Sequence, residues 1–193
     1  MFRLTRPSED EVRRFIANQE HVEFSYPEVG ASAGTVPAGY DVDNNRIELG
    51  SGEQIWLRAV AVRAWSMFNI PRVRLYWPDA PLKVGAVVAV CVRGFGFFSL
   101  NACRNVYVVD ENGAAERFGF AYGTLRDHAE TGEERFMVEW NRATDKVCYD
   151  ILAFSRPRHA LAKLGYPLSR SLQKQFANDS KIAMCRAVRD VVR

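Results

Sequence analysis

Between Ala86 and Phe154 the chain alternates apolar runs with turn residues, and that series constrains the fold more than any other feature. The runs are Ala86–Arg93, Phe97–Val109, Glu116–Gly123, Arg135–Trp140 and Val147–Phe154. Between them lie Gly94-Phe95-Gly96, Asp110-Glu111-Asn112-Gly113 and Asn141–Lys146, which supply the backbone freedom and side-chain acceptors that hairpins require. Consecutive hairpins give an antiparallel meander. A sheet of that width has a face that another element must cover.

The segment long enough to cover it is C-terminal. Pro157 opens a helical region and Pro167 interrupts it. From there Leu168, Leu172, Phe176 and Ala183 share one face, with Arg170, Lys174 and Lys181 opposite. At the other end, Ser8 and Glu11 form a capping box for a helix over Glu9–Gln19, with Val12, Phe15 and Ile16 at helical spacing. Residues 21–39 form an irregular loop rich in Gly, Pro, Ser and aromatics, too long to be idle. Gly39–Val42 and Arg46–Leu49 around Asp43-Asn44-Asn45 predict a hairpin. Ser51 and Gln54 predict a second capping box, opening a helix over Gly52–Phe68, and Arg72–Trp77 reads as a strand ended by Pro78 and Pro81.

A chain of 193 residues suits a single domain over 1–193, with 1–38 as a helix-and-loop extension packed on the main body. Its 48% hydrophobic content suffices for a core without metal or disulfide support. The longest apolar run, Gly85–Val92, is too short to span a bilayer, and the first residues show no secretory signal, so the expectation is a cytoplasmic protein. Cys91, Cys103, Cys148 and Cys185 are too scattered for a metal motif and read as small hydrophobes. The net charge of +3 conceals an asymmetry: from Ser155 onward the chain carries nine Lys or Arg against two Asp. A basic C-terminal helix could meet nucleic acid or an anionic surface, although the stripe lacks the interleaved aromatics that single-strand binders use for stacking.

The fold class is therefore α+β: a curved antiparallel sheet of about six to seven strands gripping a long C-terminal helix. This order of elements resembles the helix-grip architecture of START-type domains. The resemblance implies a cavity for an apolar or aromatic small molecule between sheet and helix, and it does not supply a reaction.

The run Phe120-Ala121-Tyr122-Gly123-Thr124-Leu125, followed by His128, Glu130 and Gly132-Glu133-Glu134-Arg135-Phe136, is a more specific signature. With Tyr26-Pro27-Glu28-Val29-Gly30, Leu49-Gly50-Ser51-Gly52, Trp65, Cys103-Arg104 and Ala153-Phe154-Ser155-Arg156-Pro157, it resembles a family of small bacterial and plant proteins classed as a domain of unknown function. One departure is Arg126-Asp127, where that family tends to carry Pro and Gly.

The residues most able to carry chemistry lie in that signature. Tyr122 and Thr124 are two apart at a strand end and share a side with Phe120. His128 beside Glu130, Glu133 and Glu134 offers an imidazole tuned by carboxylates, suited to acid–base work, and a tyrosine hydroxyl can donate to a developing oxyanion. The catalytic candidates are Tyr122, His128, Glu130 and Glu133; the plainer alternative is that the turn residues only fix a hairpin. The ligand-binding candidates are Tyr26, Glu28, Trp65, Arg104, Phe120 and Thr124, with Arg104 as an anchor for an acidic group. His128, Glu130 and Glu133 could in principle ligate a metal, but no second histidine stands nearby, and neither metal nor cofactor is expected. No P-loop, dinucleotide fingerprint or nucleophile elbow is present. The reading is a protein, monomeric or homodimeric, that binds an apolar or aromatic small molecule in an internal pocket. Cofactor-independent acid–base catalysis is the enzymatic form of that reading. The alternative is an interaction protein that uses its basic helix.

Overall fold

In the computed structural model, which describes residues 2–61, 66–77, 80–94, 96–157 and 166–190, the meander is present and every strand pairing is antiparallel. Strands β1 (Phe2–Arg3), β2 (Asp41–Ser51), β3 (Val73–Tyr76), β4 (Val87–Gly94), β5 (Phe97–Glu111), β6 (Ala115–Thr124), β7 (Glu130–Asn141) and β8 (Lys146–Pro157) form one sheet. Its order is β2-β8-β7-β6-β5-β4-β3, with β1 alongside Phe98 and Ser99 of β5. Among the described residues three α-helices accompany it: α1 (Glu9–Gln19), α2 (Glu53–Ala61) and α3 (Tyr166–Asp190). The curved sheet grips α3, so the helix-grip architecture holds.

The two faces of the sheet carry separate cores. Inside the grip, Phe120, Phe136, Tyr149 and Ile151 pack with Ala177, Met184 and Val188 of α3. Each large side chain buried there contributes roughly 1.5–3 kcal/mol. On the outer face, Val12, Phe15 and Ile16 of α1 lie against Ala89, Cys91, Leu100 and Leu125. Helix α1 has the expected limits, and its capping box forms: Ser8 Oγ accepts from the Glu11 N–H and Glu11 accepts from the Ser8 N–H. Cys91, Cys103, Cys148 and Cys185 are all free thiols. No helix among the described residues is long and apolar enough to cross a membrane.

Two local expectations are corrected. First, Asp43-Asn44-Asn45 is not a turn but the middle of β2, paired with Ala153, Leu152 and Ile151 of β8. Strand alternation turns Asp43 and Asn45 toward α3, where Arg170 and Lys181 bond them, and these tertiary partners override the local turn preference. Second, Ser51 ends β2 instead of capping α2. The helix starts from Gly52, whose φ of +89° makes the corner and whose carbonyl accepts from Ile55 and Trp56. That helix ends at Ala61; residues 62–65 lie outside the described residues, and Ser66–Phe68 is a separate 3-10 turn. Pro167 sits in the first turn of α3, where its missing N–H costs nothing. Residues 158–165, between Pro157 and α3, lie outside the described residues.

The loop after α1 is fixed to the outer face by Glu133, which is 2% exposed. Its carboxylate accepts from the Tyr26 hydroxyl (2.6 Å), the Gly30 N–H (2.7 Å), the Ser32 N–H (3.0 Å) and the Ser32 hydroxyl. Tyr26 reaches that carboxylate by crossing directly over Gly123, where any Cβ would collide with the phenol ring and its hydroxyl. Gly123→Ala is therefore expected to lower stability in urea unfolding by about 1–3 kcal/mol. An unchanged midpoint would mean that the Tyr26–Glu133 bond contributes little to holding the loop.

Candidate functional site

The strand register places a polar row beneath the first half of α3. Asp43 of β2, Ala153 of β8, Glu134 of β7, Tyr122 of β6 and Asn105 of β5 are successive cross-strand partners. Alternation along β7 sends Glu134 to the same face as Phe136, Val138 and Trp140, the face that α3 covers. Glu133, one residue earlier, points to the opposite face. The aromatic wall around the row is tight: Tyr122 lies 5.4 Å from Phe136 and 6.0 Å from Phe68, ring centre to ring centre. Phe68 also packs on Phe176 of α3 at 5.5 Å.

Tyr122 donates its hydroxyl to Glu134 Oε2 at 2.8 Å, and no other group among the described residues bonds that carboxyl. Burial pushes the Glu134 carboxyl up to about 7. The Tyr122 hydrogen bond pulls the other way, and the charge of Asp43 adds to the rise. Tyr122 is raised well above the ordinary phenol range, first by burial and then by the Glu134 charge, so its proton stays in place near neutrality. Asp43 is itself held by both Nη atoms of Arg170, at 2.5 and 2.7 Å. At the far end, Asn105 is 1% exposed, and neither its Oδ1 nor its Nδ2 has a hydrogen-bond partner. Next to it, burial and the Glu134 charge push the Cys103 thiol well up, so it is not a thiolate nucleophile near neutrality.

This arrangement offers a carboxyl able to take or give a proton near pH 7, a hydroxyl fixed as a donor, and a free amide with two donors and an acceptor. Between Phe120, Phe136, Tyr149 and Met184 about 20 Å³ remains, room for roughly one water.

The sequence-predicted residues do not converge on one point. Tyr122 and Phe120 are in the inner wall. Thr124 instead bonds backbone groups of Gly132 and the Ser25 hydroxyl. Tyr26 and Glu133 tie the outer loop, and Glu28 accepts from the Tyr40 hydroxyl at 2.7 Å. Arg104 also faces outward, where Nη2 donates to the Gln19 and Glu20 carbonyls at 2.8 Å and caps the end of α1. His128 stands in the β6–β7 turn, with Nδ1 accepting from the Glu130 N–H at 3.0 Å, and it lines an outer cleft of about 710 Å³. Among the described residues, no three of His, Cys, Asp and Glu come together as a set that could hold a metal ion. Trp65 lies outside the described residues.

Of the row's other polar members, Glu134 was seen beside His128 but not named a catalytic candidate, Asp43 was read as a turn residue, and Asn105 was not singled out. Glu134 was findable by parity, since it alternates with Phe136, Val138 and Trp140 whereas Glu133 does not. Asn105 follows by the same parity from Cys103 on the inner face, since the irregularity between Asn105 and Tyr107 breaks the alternation only beyond it.

Comparison with known proteins gives a family and no activity. The UPF0548 protein of Dictyostelium discoideum is 35% identical over 208 residues, covering 97% of this chain and 96% of that protein. The UPF0548 protein of Deinococcus radiodurans is 34% identical over 199 residues, covering 97% and 98%. Among solved structures, Ara h 8.0201 aligns with 79% of this chain and 99% of its own at 10% identity and a TM-score of 0.49. A norcoclaurine synthase mutant aligns with 82% and 100% at 13% identity and a TM-score of 0.48. The helix-grip assignment rests on strand order and register and not on these scores. The family described as "Domain of unknown function (DUF1990)" matches residues 25–183, and the chain belongs to it.

Proposed function

We propose that the protein binds a small, largely apolar molecule bearing a carbonyl group at the Asn105–Tyr122–Glu134 row, and that Glu134 moves a proton to or from it without a cofactor. The observation that carries this reading is the Glu134 carboxyl: set in an aromatic wall, bonded by one hydroxyl, and poised near neutrality. As a base, Glu134 takes a proton from the carbon beside the carbonyl. The electron pair moves to the carbonyl oxygen, where the Asn105 amide N–H groups receive the growing charge, joined by the Tyr122 hydroxyl as it leaves the Glu134 oxygen that has taken the proton. In this reading Glu133 and Tyr26 hold the outer loop, and His128 and Glu130 hold the turn.

The alternative, an anionic partner on the basic helix, has less support. Arg170 and Lys181 are engaged with Asp43 and Asn45, which leaves Lys174 exposed from that stripe.

Two measurements test the row. A carboxyl raised from 4.5 to about 7 holds its proton more tightly in the folded state than in the unfolded chain. Its contribution to stability is complete below pH 4.5 and lost as the pH climbs through about 7. Glu134→Gln, which imitates the protonated form, should match wild type in urea unfolding near pH 4.5 and exceed it at pH 8 by about 1–3 kcal/mol. Equal stability at both pH values would place Glu134 in an ordinary aqueous setting.

The second measurement is proton exchange. Small aromatic ketones incubated with the protein in deuterated buffer should lose their α-proton NMR signals faster than in buffer alone. Glu134→Gln should reduce that rate by about 10²–10⁴, and Tyr122→Phe should also slow it. Ketones that stabilise the protein against heat yet exchange no faster would leave a binding role and remove the catalytic one. Binding unaffected by either substitution would remove the row as the site.

A further inference from the structure

The outer cleft between α1 and the β6–β7 turn has the makings of a second binding site, independent of the inner row. Phe15 and Leu100 form an apolar floor, 6% and 2% exposed. Gln19 lines the same cleft and is 3% exposed. Its Nε2 donates to Asp127 Oδ2 at 2.7 Å, which fixes the orientation of the amide, and its Oε1 is left with no partner. A buried acceptor in that position lacks a bond that a ligand donor would supply. Arg14, also on the lining, is exposed and has no ion pair among the described residues.

The surrounding charges sharpen the chemistry. The lining holds three arginines, Arg3, Arg14 and Arg126, against two carboxylates, Glu11 and Asp127. Glu11 is paired with Arg3, and Asp127 accepts from Gln19. Arg126 is paired with Glu23. The cation without an ion pair is therefore Arg14, and the acceptor without a hydrogen bond is Gln19 Oε1, which the free protein keeps covered.

We propose that this cleft binds a small hydroxylated organic anion. Its phosphate or carboxylate pairs with Arg14, its hydroxyl donates to Gln19 Oε1, and its carbon stem rests on Phe15 and Leu100. A guanidinium serves either anion, because both present paired oxygens to its planar fork.

The test is an NMR titration of the ¹⁵N-labelled protein with glycerol 3-phosphate, lactate, ethyl phosphate and propionate. Glycerol 3-phosphate or lactate should shift the amides of residues 14–19 and 126–129, and whichever binds more tightly identifies the anion. Ethyl phosphate and propionate, which lack the hydroxyl, should bind several-fold more weakly than their hydroxylated counterparts. Arg14→Gln, a surface change remote from the inner row, should weaken binding about tenfold while leaving ketone exchange at Glu134 intact. Absence of shifts at those amides up to about 10 mM of every probe would overturn the proposal. So would an Arg14→Gln variant that binds as well as wild type, or equal binding with and without the hydroxyl.

Discussion

A carboxylate enclosed by a sheet needs donors to replace the water it has lost, and β7 turns two adjacent ones in opposite directions, Glu133 buried and Glu134 half-buried. Glu133 finds four donors, all from residues 26–32. Glu134 finds one. Because strand side chains alternate, the same two-residue step that anchors a loop on the outer face leaves a nearly bare acid on the inner face. The loop and the site are thus two consequences of one feature. Residues 21–39 cannot bury their own backbone polar groups in a core of their own, and Glu133 gives two of those N–H groups an acceptor. The loop in turn makes Glu133 tolerable on a buried surface.

The grip of α3 is likewise part apolar and part polar, and the two parts do different things. Ala177, Met184 and Val188 provide area, which holds the helix to the sheet without fixing how far it slides. Four directional contacts among the described residues set the position: Arg170 to Asp43, Gln173 to Ser155 at 3.0 Å, Ser180 to Tyr149 at 3.0 Å, and Lys181 to Asn45 at 3.2 Å. All four reach β2 or β8, at one edge of the sheet. Asp43 is also the charge that helps lift the Glu134 proton affinity. Arg170 partly offsets that charge, so the seating of the helix and the acidity of Glu134 are linked through one ion pair.

Much of this fold was legible as pattern. Hairpin connectors located the meander, and Ser8 with Glu11 located α1. The failures have physical causes. Asp43-Asn44-Asn45 resembles a turn because its side chains bond backbone readily, yet two of them have partners on a helix more than 120 residues away. The unbroken apolar run Ala86–Val92 states that β4 is covered on both faces, and α1 is the second cover. Of the candidate site, Tyr122 and the glutamate pair were visible. Which glutamate faced inward followed from parity. Arg104, an arginine among apolar neighbours, suggested a ligand anchor, but the carbonyls at the end of α1 occupy it. Nothing in the local sequence around residue 104 reveals that helix end.

The polar groups that the fold leaves unmet are informative by their placement. Among the described residues, the buried side-chain atoms without a hydrogen-bond partner belong to Gln19, Asn105 and Arg135. Arg135 satisfies its other nitrogens on Ser32 and Asp150, so its deficit is partial. Asn105 satisfies none, although its neighbour across the sheet, Tyr122, has a hydroxyl committed to Glu134. An amide left unbonded beside a carboxyl near neutrality costs the free protein on the order of 1–3 kcal/mol. A ligand oxygen placed between Tyr122 and Asn105 would recover that cost only when bound. A negative charge growing on that oxygen would recover more than a neutral carbonyl does, which is the condition for lowering a barrier and not merely for binding.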